Sequence, residues 1–151
     1  MSPSGARLTC IRRLEWDAAH RVPRHEGKCA AWHGHRYVAE IACAAEALDD
    51  VGRIIDFGAI KELVGGWIDT HWDHTAILLR DDPDPTAQAL AAANAAAGRP
   101  VYWMDAPPTA EHLVLELARI ASDLLADRGI EVTSIRLWET PNCSAEWVAG
   151  R

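Results

Sequence analysis

The sequence predicts an α+β domain, an antiparallel sheet of four strands with two main helices on one face. Three observations carry the expectation. Strand-like alternation occupies the first third of the chain, apolar residues then recur at helical spacing in two separate segments, and alternation returns near the end. Two groups of strands with helices between them are the pattern of segregated α+β architecture. A four-stranded open sheet leaves edges exposed, so the chain is expected to complete itself by oligomerising.

Each element has its own justification. Residues 7–19 (RLTCIRRLEWDAA) read as a strand because Leu8, Cys10, Leu14 and Trp16 share one parity, interrupted by Arg12. Residues 21–32, with Pro23 and Gly27, read as a loop. A second strand follows from the parity set His35, Tyr37, Ala39, Ile41 and Cys43, making a long hairpin with the first. Ile60, Leu63, Val64, Trp67 and Ile68 then mark an amphipathic helix, whose Gly65-Gly66 pair either ends it early or permits close packing. Residues 81–106 include an alanine-rich run, read as a peripheral insertion with a short helix capped by Thr86 and stopped by Gly98. Val101–Met104 reads as a short strand or an extended link. The best helix opens at Thr109 as N-cap, with Glu111 in its first turn and Leu113, Leu117, Ile120, Ala121 and Leu124 as its buried stripe. Gly129 stops it, and strands are expected at 131–139 and near 144–148. No repeat or linker divides the chain, so residues 1–151 are expected to form one domain.

The composition narrows the function. A net charge of −7 argues against nucleic acid or an anionic membrane as partner. No apolar run approaches the roughly 20 residues of a membrane helix, and the N-terminus lacks an apolar segment of signal-peptide length. A cytoplasmic protein is therefore expected, with Cys10, Cys29, Cys43 and Cys143 as free thiols or functional groups rather than disulfides.

Residues 17–37 break the average. Four of the seven histidines fall between positions 20 and 35, and within His20–Arg36 the basic residues Arg21, Arg24, Lys28 and Arg36 are opposed only by Glu26. His33 and His35 share one strand face, and His20 ends the partner strand, so three imidazoles can converge on one ion. Neutral imidazole is a good zinc ligand, and three protein ligands leave a fourth position for water or substrate. Two other readings stay open: Cys29 as a fourth ligand of a closed structural site, or histidines that are merely polar residues near a loop. As a reactive group Cys29 can serve as base or nucleophile, whereas Cys10 and Cys43 lie in apolar runs and suit inert thiols. The basic loop suits a small anion, or else it is a solvated charge run. Asp73-His74 offers a proton relay, in which a carboxylate holds the imidazole tautomer. Glu139 ends an otherwise apolar strand face and needs a partner; a ligand with two parallel N–H donors would supply one.

WDAAHRVP, KCAAWHGHRY, GRIIDFGAIK, WDH, PTAEHL and WET resemble, in order, segments of the 6-pyruvoyl-tetrahydropterin synthase superfamily. The three residues between Cys29 and His33 resemble the spacing of its bacterial 6-carboxytetrahydropterin synthase branch. The resemblance implies the tunnelling fold, with subunits joined into a barrel as a homo-oligomer, such as a hexamer, and sites at subunit interfaces. It implies His20, His33 and His35 as Zn2+ ligands, Cys29 as catalytic base, Asp73 and His74 as relay, and Glu139 as pterin anchor. Thr109, in PTAEHL, takes a substrate-side position, and Arg21, Arg24 and Lys28 are candidates for a triphosphate. The implied reaction converts 7,8-dihydroneopterin triphosphate to 6-carboxy-5,6,7,8-tetrahydropterin, acetaldehyde and triphosphate, towards queuosine. Its rivals are a 6-pyruvoyltetrahydropterin-forming elimination and a zinc-stabilised pterin- or purine-binding module. Trp32, Trp72 and the TAILL segment after His74 depart from the family pattern.

Overall fold

The computed structural model describes residues 7–99 and 101–150. The long hairpin is present as β1 (Cys10–His20) and β2 (His33–Ala44), joined by a loop holding a 3-10 turn at Lys28–Ala30. A helical rod follows as α1 (Phe57–Ile60), a π-turn (Lys61–Gly65) and α2 (Gly66–His71), then β3 (Thr75–Leu79), α3 (Pro85–Ala96) and β4 (Tyr102–Met104). The chain closes with α4 (Ala110–Ala126), β5 (Glu131–Thr140) and β6 (Cys143–Val148).

The sheet has six strands in the order β4-β3-β1-β2-β5-β6, and it is mixed rather than antiparallel. β1, β2, β5 and β6 form the expected antiparallel set. β3 and β4 extend it as parallel partners of β1 and of each other. The rod at 57–71 makes this possible, because parallel strands need a crossover and a helix supplies its length. The expected four-stranded sheet is thus corrected to six. TAILL is too short and too uniformly apolar to show a period.

One face of the sheet is covered. Leu14, Trp16, Ala18, Tyr37, Ile41, Val132, Ile135 and Leu137 meet Ile60, Val64, Ile68 and Trp72 from the rod and Leu113, Leu117, Ala121 and Leu125 from α4. Burial of this set, at about 25 cal/mol per Å2 of apolar area, is the main source of stability. The α4 stripe runs through Leu125 rather than the expected Leu124. Gly65-Gly66 does not end the rod. A Cβ on Gly65 would stand 3.4 Å from Leu14 Cδ2, so the buried glycine packs against the Leu14 side chain of β1.

The segment 81–106 is less peripheral than its composition suggests. Asp84, not Thr86, caps α3: its side chain accepts from Thr86 N, with Pro85 at the start of the helix. Ala87 and Ala91 are buried, and Met104 of β4 joins the main core. Among the described residues no helix is long and apolar enough to cross a membrane.

Candidate metal centre and flanking site

The register of β1 on β2 sets His20 opposite His33 and Ala18 opposite His35, so all three imidazoles lie on the helix-covered face. Gly34 separates the two β2 histidines and lies opposite Ala19. A Cβ there would stand 3.0 Å from the Ala18 carbonyl oxygen, so a side chain would wedge the strands apart. One ligand atom from each histidine lies within 4.8 Å of the others.

Hydrogen bonds fix the state of two rings. His20 Nδ1 lies 2.7 Å from the Pro108 carbonyl and His33 Nδ1 2.8 Å from the Ala31 carbonyl. A carbonyl only accepts, so both Nδ1 atoms carry hydrogen and both Nε2 atoms carry bare lone pairs. Those two Nε2 atoms face each other at 3.0 Å. Two lone pairs at that distance repel unless something positive lies between them. A shared proton is disfavoured on His20, since burial, with smaller contributions from His33 and His35, pushes its pKa down to about 4 against the Pro108 carbonyl. His35 Nε2 is buried with no hydrogen-bond partner. Three neutral nitrogen donors, two oriented by backbone carbonyls and one orphaned, fit a divalent metal. Cys29 Sγ does not belong to this group, so the cluster is three histidines without a thiol.

Glu139 ends β5 on the same face, with Oε1 3.5 Å from His35 Nε2 and no hydrogen bond between them. Burial lowers the His35 pKa, and the Glu139 charge acts the other way. His35 and Glu139 line a concavity of about 700 Å3 with Gly34, Thr140 and Pro141. Tyr37 was not foreseen. Its hydroxyl lies 3.2 Å from His20 Nδ1, and burial first, then Glu139, raises its pKa. Its parity with His35 was the available signal.

Asp73 and His74 sit beside β1, outside the histidine group. The parallel pairing of β1 and β3 brings His74 to Asp17. His74 N–H donates to the Asp17 carbonyl at 2.7 Å, and Asp17 N–H donates to Asp73 Oδ1 at 3.1 Å. Asp73 Oδ1 also lies 2.9 Å from His74 Nδ1, an ion-pair distance, and the His74 ring is exposed. His74 has φ 56°, a left-handed conformation that β1 holds in place. His35 and His74 border one further concavity of about 710 Å3, which also contains Asp17, Trp32 and Leu90. Asp17 is a second residue the sequence reading missed, since its link to Asp73 depends on a pairing between distant strands.

The basic loop divides. Arg24 and Lys28 are exposed, and Cys29 is half-buried on the 3-10 turn. Arg21 is not free to meet an anion, correcting the expectation for it. Its guanidinium is buried against Asp82 and Asp84, and its Nε donates to the Ala30 carbonyl at 2.9 Å. Thr109 caps α4: its Oγ1 accepts from His112 N at 3.3 Å. Cys43 is buried, with its thiol pushed up to about 12, which suits an inert core residue.

Known proteins resemble this chain in sequence and fold. A 6-carboxy-5,6,7,8-tetrahydropterin synthase of Rickettsia conorii is 44% identical over 140 residues, covering 92% of this chain and 99% of the relative. One of the same name from Haemophilus influenzae is 29% identical, covering 90% of this chain and 95% of the relative. The fold is that of an uncharacterized Wolinella succinogenes protein, with TM-score 0.82 and 20% identity over 97% of this chain and all of that one. It is also that of Caenorhabditis elegans 6-pyruvoyl tetrahydropterin synthase, with TM-score 0.66 and 18% identity over 95% of this chain and 96% of that one. Residues 9–149 match the family described as 6-pyruvoyl tetrahydropterin synthase. The chain belongs to that family.

Proposed function

We propose that the protein is a zinc-dependent carbon–carbon lyase. It converts 7,8-dihydroneopterin triphosphate and one water to 6-carboxy-5,6,7,8-tetrahydropterin, acetaldehyde and triphosphate, a reaction on the route to queuosine and other 7-deazapurines. The observation that carries the reading is the trio of inward-facing imidazole nitrogens, one of them orphaned, with a carboxylate 3.5 Å away. The shared name of relatives up to 44% identical supports the choice of substrate.

His20, His33 and His35 hold the zinc. The bound ion supplies Lewis acidity towards oxygens of the substrate side chain. Glu139 accepts two N–H bonds from the amino and ring edge of the pterin. Thr109 can donate its hydroxyl proton to substrate while its oxygen still accepts the helix cap. Cys29 removes a proton from a side-chain carbon, and His74, oriented by Asp73, moves the second proton. Arg24 and Lys28 meet the triphosphate. The exposed edge strands β4 and β6 support assembly into a closed homo-oligomer in which the concavities lie between copies.

Mass spectrometry of zinc-loaded protein incubated with 7,8-dihydroneopterin triphosphate separates this reading from its rival. Acetaldehyde together with a 6-carboxy product is expected. Triphosphate release with a 6-pyruvoyl product and no acetaldehyde would overturn it. Cys29→Ala is expected to keep its zinc and lose turnover by at least about a hundredfold; retained turnover would remove Cys29 from the mechanism.

A further inference from the structure

Arg21 and Asp82 are, with His20, the only buried polar or charged residues among those described. Removing two charges from water is costly, and such a pair is weak evidence for stability in itself. Its hydrogen bonds lead elsewhere. Arg21 Nη1 pairs with Asp82 Oδ2, Nη2 lies 3.5 Å from Asp84 Oδ2, and Nε donates to the Ala30 carbonyl at 2.9 Å. Val22 N–H, one residue on, donates to the Cys29 carbonyl at 2.8 Å.

The turn these bonds hold has no core of its own. Lys28–Ala30 contains no buried residue and no side-chain cap, so little apolar packing fixes the Cys29 backbone. Its remaining links are short-range: Ala30 N–H to the Gly27 carbonyl at 3.2 Å and Ala31 N–H to the Lys28 carbonyl at 3.0 Å. Those shape the turn without tying it to the sheet. Behind Arg21, Asp82 Oδ1 accepts from Asp84 N at 2.9 Å, and Asp84 caps α3. An unbroken chain of polar contacts thus runs from the α3 cap through Asp82 and Arg21 to the Cys29 turn.

We propose that Asp82 and Arg21 are positioning residues for Cys29, so that the segment leading into α3 sets where the thiol stands. The catalytic consequence rests on the reading of Cys29 as the proton-transfer group. The test is Asp82→Asn, which keeps shape and removes charge, beside Arg21→Lys, which keeps the charge near Asp82 but loses the Nε donor to Ala30. Zinc content, turnover, amide hydrogen exchange and Cys29 alkylation by iodoacetamide are measured for both.

Expected are unchanged zinc, a kcat lower by about ten- to a hundredfold with KM within about twofold, and faster exchange confined to residues 28–31 and to Val22, whose N–H meets the Cys29 carbonyl. Cys29 alkylation is expected to change by at least about threefold, while exchange in β1, β2 and α4 stays as before. Should Asp82→Asn fail to fold, Arg21→Lys carries the same readouts. Exchange that quickens evenly along the chain with kcat unaltered, or no change at residues 28–31 in Arg21→Lys, overturns the proposal. Exchange and alkylation need no turnover, so failure of the catalytic reading of Cys29 is distinguishable: the turn would loosen in both variants while Cys29→Ala stayed active.

Discussion

His20 and His33 are committed before any ion binds, because their Nδ1–H groups already donate to Pro108 and Ala31. That commitment can be measured. Burial holds the His20 pKa near 4, below the about 6.5 of an exposed imidazole, so the unfolded chain binds a proton over a range where the fold refuses it. Metal-free protein should keep this contribution above pH 6.5 and lose it as pH falls towards 4, by up to about 3 kcal/mol. Denaturant midpoints at pH 7.5 and 4.5 check it; equal values would show that His20 is not buried neutral. At Glu139 the prediction concerns binding. Glu139→Gln replaces one acceptor by a donor and should raise KM about tenfold or more without loss of metal. The convergence of His20, His33 and His35 and the place of Glu139 beside them were legible in the sequence through spacing and parity. Arg21 was misread because charge alone does not reveal that Asp82, 61 residues away, already neutralises it.

At the scale of elements, the hairpin makes the metal centre possible, and Gly34 sets how closely its strands approach. Gly34→Ala should push β2 off the Ala18 carbonyl, costing about 1–3 kcal/mol and weakening metal binding about tenfold. Calorimetry of the variant with and without zinc checks this, and unaltered affinity would show that the strands have slack. β1, β2, α4, β5 and β6 were readable because each is long enough to display its period. β3, five residues long and paired with β1 through a helical crossover, was not, and for the three residues of β4 the sequence left a short strand and an extended link as alternatives. That gap hid the link to Asp17 as well, since only β3 lying on β1 brings the Asp73-His74 pair, itself plain in the sequence, to that residue.

For the whole molecule, the covered face holds the core and the imidazoles, and the sheet still ends in the open edges of β4 and β6. Light scattering should therefore find an assembly larger than one chain, and a monomer at micromolar concentration would contradict closure through these edges. Whether three histidines hold a zinc ion that the lyase reaction requires is decided by acetaldehyde release from 7,8-dihydroneopterin triphosphate, measured for metal-stripped protein, for the same protein reloaded with one zinc per chain, and for His33→Ala. Release is expected only after reloading, with none from the variant. Equal release by stripped and reloaded protein would contradict that requirement.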